Sequence, residues 1–128
     1  MTGAAVVDTS CLVALAFGEP GGSRIATRLR RFDKLFASAL LEAELLAAFR
    51  REGVTADISD FTNDLALVSP DRPLGRELRR AAEAGYLRGA DMWHVACALF
   101  LSPDAGELTF LTLDEPQRTV ARRLGFAV

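Results

Sequence analysis

The run Val6-Val7-Asp8-Thr9-Ser10 places a carboxylate between a predicted strand and a predicted helix. The residues before Asp8 are apolar and end in β-branched side chains, which is typical of a short strand buried on both faces. Thr9 and Ser10 are helix-capping residues, because a side-chain oxygen can accept a hydrogen bond from a free amide of the first turn. Ligands collect beyond the carboxyl ends of parallel strands, so Asp8 is placed for chemistry. The alternative is that Asp8 is itself the N-cap.

Strands and helices are predicted to alternate along the rest of the chain. Further strands are expected over residues 34–37, 66–68 and 108–112, each followed by a segment with helical spacing, and residues 126–128 are a candidate for a last short strand. This alternation favours an α/β fold, a three-layer α/β/α sandwich with a mostly parallel central sheet. The chain has 128 residues and is expected to form a single domain over residues 1–128.

The composition limits the class of protein. The formal net charge of −2 argues against coating of duplex DNA through a general positive field. No apolar run approaches the roughly 20 residues that span a bilayer, and the pattern of a signal peptide is missing. We therefore expect a cytoplasmic protein without a membrane segment. Cys11 and Cys97 are too few for a disulfide framework and are expected to pack as small apolar residues.

The basic residues are almost all arginine: Lys34 is the exception among fifteen. Genome composition explains this bias as well as phosphate recognition does, although the guanidinium group suits bidentate phosphate contacts. Arg24, Arg28 and Arg31 recur at helical spacing after a glycine-rich loop. We predict that they form a solvated helix face, with an RNA-facing surface as the alternative.

Two acids lie close together in the helix predicted over residues 39–51. Glu42 and Glu44 cannot share a face, because positions two apart on a helix point away from each other. Glu44 lies beside Leu41, Leu45 and Ala48 of the apolar stripe. The periodicity therefore leans only weakly toward Glu44 as the inward-facing acid, and the role of Glu42 stays open.

A nearly apolar helix predicted over residues 87–100 carries two polar side chains of interest. Asp91 falls in its first turn, where the helix dipole favours a negative charge by ~0.3–1 kcal/mol, so a capping role is an alternative to a catalytic one. His94 follows one turn later. A single histidine on an apolar face is more often a hydrogen-bonded core residue than a catalyst, and its role stays open.

The strand over residues 108–112 again runs into a carboxylate, Asp114. If the first and last strands are neighbours, Asp8 and Asp114 converge, and the helix that carries Asp91 can point into the same crevice. Carboxylates packed together repel each other, and a divalent cation relieves that repulsion. Oxygen-only ligands favour Mg²⁺ or Mn²⁺ over zinc.

Four short motifs resemble, in order, those of PIN domains of the VapC toxin type, from bacterial toxin–antitoxin pairs. They are Val7-Asp8-Thr9-Ser10, Ser38-Ala39-Leu40-Leu41-Glu42-Ala43-Glu44-Leu45, Ala90-Asp91-Met92-Trp93-His94-Val95-Ala96-Cys97-Ala98 and Leu111-Thr112-Leu113-Asp114. The resemblance covers nearly the whole chain and implies that Glu44 is the family's acid in the second motif. The chain departs from the pattern after Asp114, where Pro116 and Gln117 stand in place of the family's usual further acid or polar residue and aromatic.

The resemblance implies a Mg²⁺- or Mn²⁺-dependent endoribonuclease that is inhibited by a cognate antitoxin and is commonly a homodimer. Our hypothesis is that Asp8, Glu44, Asp91 and Asp114 are the catalytic residues. Asp8, Asp91 and Asp114 are the predicted ligands of one or two metal ions, which activate a water for attack on RNA. Ser10 and Thr112 are candidates to hydrogen-bond a carboxylate or a water, and both are equally credible as capping hydroxyls.

Two other functions fit the same residues. The first is a non-catalytic module whose acidic pocket binds a basic peptide. The second is a nuclease acting on single-stranded DNA, because the phosphates of DNA and RNA are alike and contacts to the 2′-OH leave no signature in the sequence. Residues 53–73 match nothing distinctive and leave the substrate-facing surface unassigned.

Overall fold

The computed structural model describes residues 3–128. The strands are β1 (Ala4–Val7), β2 (Lys34–Ser38), β3 (Leu65–Val68) and β4 (Leu108–Leu111). The helices are α1 (Thr9–Ala16), α2 (Gly22–Leu29), α3 (Leu40–Arg51), α4 (Ser59–Thr62), α5 (Gly75–Ala84), α6 (Gly89–Leu101) and α7 (Glu115–Leu124). Elements therefore alternate as the apolar periodicity predicts.

The four strands form one sheet in the order β3-β2-β1-β4, and every neighbouring pair is parallel. Val6 is paired with Phe36 on one side and with Phe110 on the other. The chain moves outward from β1 to β3 and then crosses to β4 on the far side of β1. This change of direction opens a crevice between β1 and β4 at the carboxyl ends of the strands, where ligands of such sheets bind.

Helices cover both faces of the sheet, which confirms the three-layer α/β/α prediction. Successive side chains of a strand point to opposite faces. Val6 packs into a core with α5, α6 and α7, whereas Ala5 and Val7 pack into a core with α1, α2 and α3. Cys11 and Cys97 are free and buried, as predicted.

The starts of two helices decide between alternatives or correct the prediction. The N-cap of α1 is Asp8, which was the alternative to Thr9 and Ser10. The N-cap of α2 is Gly21 at φ 90°, and not Ser23, because a left-handed residue turns the chain so that Gly22 packs against α1. A Cβ atom on Gly22 would lie 2.7 Å from the carbonyl oxygen of Ala14.

The predicted last strand at residues 126–128 is reduced to one bridge between Ala127 and Thr109. Within residues 3–128, none of the helices is both long enough and apolar enough to cross a membrane.

Candidate active site

Asp8 and Asp114 lie at the crevice between β1 and β4, and each caps the helix that follows its strand. The amide of Asp8 donates to the carbonyl of Leu111 at 2.9 Å, which ties the end of β1 to the end of β4. Asp8 Oδ2 accepts from the amide of Ser10 at 3.1 Å, and Asp114 Oδ2 accepts from the amide of Gln117 at 2.9 Å. Capping uses one oxygen of each carboxylate, so a capping role and a ligand role are compatible.

Gln117 was not predicted as a site residue. It is fully buried in α7 and connects Asp8 at the end of β1 with Thr112 after β4. Its Nε2 donates to Asp8 Oδ1 at 3.2 Å and to the carbonyl of Asp91 at 3.1 Å. Its Oε1 lies 2.6 Å from Thr112 Oγ1. Because Nε2 faces two acceptors, the amide orientation is determined, and Oε1 must accept from the hydroxyl of Thr112.

A directed chain of hydroxyl hydrogen bonds follows from this orientation. Thr112 has one hydrogen, which it gives to Gln117, so its 3.3 Å approach to Asp8 Oδ2 is not a donated bond. The lone pairs of Thr112 accept from the amide of Asp114 at 3.0 Å and from Ser10 Oγ at 3.3 Å. Both hydroxyls therefore accept from backbone amides, as the capping alternative has it, and Thr112 also fixes Gln117, the side chain that bonds to Asp8.

Glu44 reaches the same region from α3, and two donors hold its carboxylate. Glu44 Oε1 accepts from Thr9 Oγ1 at 2.7 Å and lies 2.5 Å from His94 Nε2. The hydrogen bond to His94 lowers the pKa of Glu44 most, and that from Thr9 adds to it, against a rise caused by burial. Burial lowers the pKa of His94. The hydrogen bond to Glu44 and the charges of Asp8 and Asp91 outweigh that effect, so the pKa is raised above its usual value.

His94 is thus both a core residue and a contact of the candidate site. It is 1% exposed, and its Nε2 also lies 3.9 Å from Asp8 Oδ1. Its Nδ1 has no hydrogen-bond partner among residues 3–128. Glu42 is exposed on the outer face of α3. Between the two acids of this helix, the structure therefore brings only Glu44 to the carboxylates.

Asp91 lies half-buried in the first turn of α6, where the charges of the other three acids act on its carboxylate. Burial raises the pKa of Asp91, and the charges of Asp8, Asp114 and Glu44 raise it further, with His94 opposing them. Each of the other three predicted acids is therefore close enough to Asp91 for its charge to disfavour ionisation of Asp91.

The comparisons with known proteins agree with this geometry. Residues 5–123 match the family described as the PIN domain. The chain belongs to the PIN domain family. PIN domains are generally nucleases that hydrolyse phosphodiester bonds, and they typically use divalent metals. The search of curated proteins finds no match to this PIN domain.

The donor set of this PIN domain fits a divalent metal in charge and in ligand chemistry. Oxygen is the preferred ligand of Mg²⁺, which takes one or two carboxylates and keeps several waters. Within residues 3–128, no three acidic, histidine or cysteine side chains are spaced to enclose an ion by themselves. Burial raises the pKa of Asp91 most and the three neighbouring carboxylates add to that rise, and a hydrated cation would offset their charge.

The sequence carries a signal that could have found Gln117. In a capping box, a Glu or Gln stands three residues after the N-cap, and Gln117 stands in that position relative to Asp114. The capping box predicts that the side chain of Gln117 accepts a hydrogen bond from the backbone amide of Asp114. In this PIN domain it instead crosses to Asp8, which lies 109 residues earlier in the chain.

Proposed function

We propose that this PIN domain is a metal-dependent endoribonuclease of the VapC toxin type. The observation that carries the proposal is the convergence of the four acids: Gln117 bonds to Asp8, Asp91 and Asp114, and His94 contacts both Glu44 and Asp8. Burial raises the pKa of Asp91, and the charges of the other three acids raise it further. Four acids gathered at a ligand-binding edge suit the transfer of a phosphoryl group with the help of a divalent cation.

In this proposal Asp8, Asp91 and Asp114 hold Mg²⁺ or Mn²⁺, directly or through water. The bound cation would supply charge that lowers the pKa of an attacking water and offsets the charge that builds on the phosphate. Gln117 holds Asp8 at Oδ1 and leaves its Oδ2 with only the backbone donor of Ser10. Its carboxylate therefore has a defined orientation before any ligand arrives.

Glu44 has a different role, because its Oε1 is occupied by Thr9 and His94. Its side chain is 31% exposed, so its carboxylate remains accessible from the crevice. A carboxylate held in this way can accept a hydrogen bond from a water and orient that water for in-line attack. The imidazole of His94 keeps Glu44 ionised, since its hydrogen bond favours the charged form.

The finer parts of the proposal follow from the resemblance to VapC toxins. They are RNA as the substrate, neutralisation by a cognate VapB-like antitoxin, a homodimeric state and a cytoplasmic location. Co-expression with the product of a neighbouring small reading frame tests the antitoxin, and size-exclusion chromatography with light scattering tests the dimer.

The decisive experiment compares wild type with Asp8→Asn for cleavage of single-stranded RNA in Mg²⁺, in Mn²⁺ and in EDTA. Asparagine keeps one acceptor oxygen for the helix cap, but its amide nitrogen then faces the Nε2 donor of Gln117, so a lower melting temperature is expected. We expect metal-dependent cleavage by wild type and its loss in the variant, with circular dichroism showing that the variant remains folded. Undiminished cleavage by the folded variant would overturn the assignment. Single-stranded DNA of the same sequence, tested in parallel, determines whether RNA is preferred.

Titration with Mn²⁺ separates the nuclease from a peptide-binding module. Wild type is expected to bind Mn²⁺, and Asp91→Ala is expected to abolish that binding, as followed by calorimetry. Glu42→Ala is the matched control, because Glu42 is exposed on the outer face of α3. Equal Mn²⁺ binding by wild type and Asp91→Ala would contradict the proposed metal site.

A further inference from the structure

Helix α2 and the turn that follows it present an arginine face, defined here as Arg24 and Arg28 of the helix and Arg31, two residues beyond its end. The residues recur at the spacing of one helical side, and with Ser23 and Thr27 they line an open cavity of about 530 Å³. Arg24 and Arg31 are exposed, and Arg28 is half-buried. At 1.5 Å per residue, Arg24 and Arg28 lie about 6 Å apart along the helix axis.

The positive charge of this face is not neutralised nearby. Within residues 3–128, no carboxylate lies within ion-pair distance of Arg24, Arg28 or Arg31. The sequence between Glu19 and Asp33 contains no acidic residue, although the whole chain has a net charge of −2. The segment over residues 20–32 is therefore purely basic in a protein that is acidic overall.

The arginine face begins at the edge of the sheet that carries the acids. Gly21, the N-cap of α2, lies against Leu113, and a Cβ atom there would be 3.8 Å from its side chain. Leu113 immediately precedes Asp114. Helix α2 then runs toward the start of β2, so the face leads away from the carboxyl ends of the strands.

The charge of Arg28 also acts on Cys11, which lies in α1 beside the end of β4. The thiol of Cys11 lies 3.4 Å from the carbonyl of Leu111, at the end of β4. Burial and the charge of Asp8 raise the pKa of Cys11 to about 12, and the guanidinium groups of Arg28 and Arg118 act in the opposite direction. The charges of Arg28 and Arg118 therefore both act on a side chain that contacts the end of β4.

We propose that the arginine face of α2 binds the phosphate backbone of a single-stranded RNA whose cleavable phosphate lies at the four acids. A positively charged groove that follows the backbone is the usual way to hold single strands without sequence preference. Arginine suits this task because its planar guanidinium group contacts phosphate oxygens in pairs. This inference rests on the proposed nuclease function and adds the route of the strand.

The test is the triple variant Arg24→Gln/Arg28→Gln/Arg31→Gln, assayed for binding of a labelled RNA of about 20 nucleotides, longer than typical single-strand sites. EDTA prevents cleavage during the binding measurement. The matched control is Arg50→Gln/Arg79→Gln/Arg122→Gln, which removes three exposed arginines from α3, α5 and α7. Both variants change the net charge equally.

We expect the triple variant to bind RNA at least about tenfold more weakly at 0.1 M salt. The slope of log affinity against log salt should fall by about 2, since each lost phosphate contact removes ~0.7. The control should change affinity less than about threefold, through the general field alone. Equal loss in both variants, or unchanged binding in the triple variant, would overturn the proposal. Unchanged RNA binding with loss of affinity for an acidic peptide would assign the face to a protein partner instead.

A small substrate keeps this test separate from the nuclease proposal. Bis(p-nitrophenyl) phosphate is too small to reach from the acids to α2, so the triple variant should hydrolyse it in Mn²⁺ at the wild-type rate. Cleavage of the long RNA should fall with its affinity. If wild type hydrolyses neither substrate, the nuclease proposal fails, while the binding comparison still determines whether α2 holds RNA.

Discussion

The units β1–Asp8–α1 and β4–Asp114–α7 have the same local plan but different surroundings. In both, a parallel strand leads to an aspartate whose Oδ2 accepts from an amide of the next helix. Asp8 follows its strand directly and is 4% exposed, whereas Asp114 is half-buried and separated from β4 by two residues. Asp8 also receives the side chain of Gln117 from the other unit.

The difference shows that a repeated motif does not produce equal sites. A strand, a carboxylate and a cap are local features, so both units share them. The central position of β1 surrounds Asp8 with groups from α6, β4 and α7, whereas β4 lies at the sheet edge. Asp8 is therefore expected to be the more important of the two acids.

The largest expected effect tests that ranking. Asp8→Asn should reduce metal-dependent RNA cleavage at least about 100-fold, or ~2.7 kcal/mol, because its buried carboxylate cannot be replaced by water. Asp114→Asn should reduce cleavage about tenfold, because water can reach its half-exposed carboxylate. Single-turnover rates in Mn²⁺ measure both. Equal losses would show that the two units contribute equally.

Removing the link between the units should have the next largest effect. Gln117→Leu leaves Asp8 Oδ1, the carbonyl of Asp91 and the hydroxyl of Thr112 without their partner, which should reduce the free energy of unfolding by about 2–3 kcal/mol. Cleavage should also fall about tenfold, as is usual when a residue that orients a ligand is lost. Urea denaturation and cleavage assays measure these losses, with Arg122→Gln on the exposed face of α7 as control. A variant with wild-type stability would contradict the proposed link.

The two hydroxyls should differ, because they occupy different places in the hydrogen-bond chain. Thr112→Val leaves the amide of Asp114 and Oε1 of Gln117 unpaired, so we expect a loss of about 1–2 kcal/mol in unfolding free energy. Ser10→Ala removes an acceptor for the amide of Leu113, which water can replace, and should cost about 0.5 kcal/mol. Thermal unfolding of both variants provides the comparison. A larger loss in Ser10→Ala would contradict the assigned order of the hydrogen bonds, in which Ser10 Oγ donates to Thr112 Oγ1.

The smallest effect has the opposite sign. Asp91→Asn removes one charge from the repulsion among the acids, so in EDTA it should stabilise the protein by a few tenths of a kcal/mol, a gain limited by solvent screening. Mn²⁺ should raise the melting temperature of wild type more than that of the variant, because only wild type retains the full ligand set. Differential scanning fluorimetry measures both values. Destabilisation in EDTA would mean that Asp91 acts chiefly through the helix dipole.

The candidate acids could be predicted from the sequence, but the side-chain contacts that hold each of them could not. Asp8 and Asp114 were predicted because each follows an apolar strand, and the strand order shows that those strands, β1 and β4, are neighbours. Glu44 was favoured only weakly over Glu42 by periodicity, since helical spacing shows which side a residue occupies but not what lies opposite. The contact with His94, 50 residues away in the chain, supplies that missing information.

The sequence by itself determined the alternation of strands and helices, the parallel α/β class and the acids at the strand ends, because periodicity and capping act over a few residues. Only the tertiary structure decided that Gln117 joins both units, that His94 holds Glu44, and that the arginine face of α2 starts beside Leu113. These contacts join residues that are distant in the chain, and hydrogen bonding between such groups depends on how helices pack across the sheet.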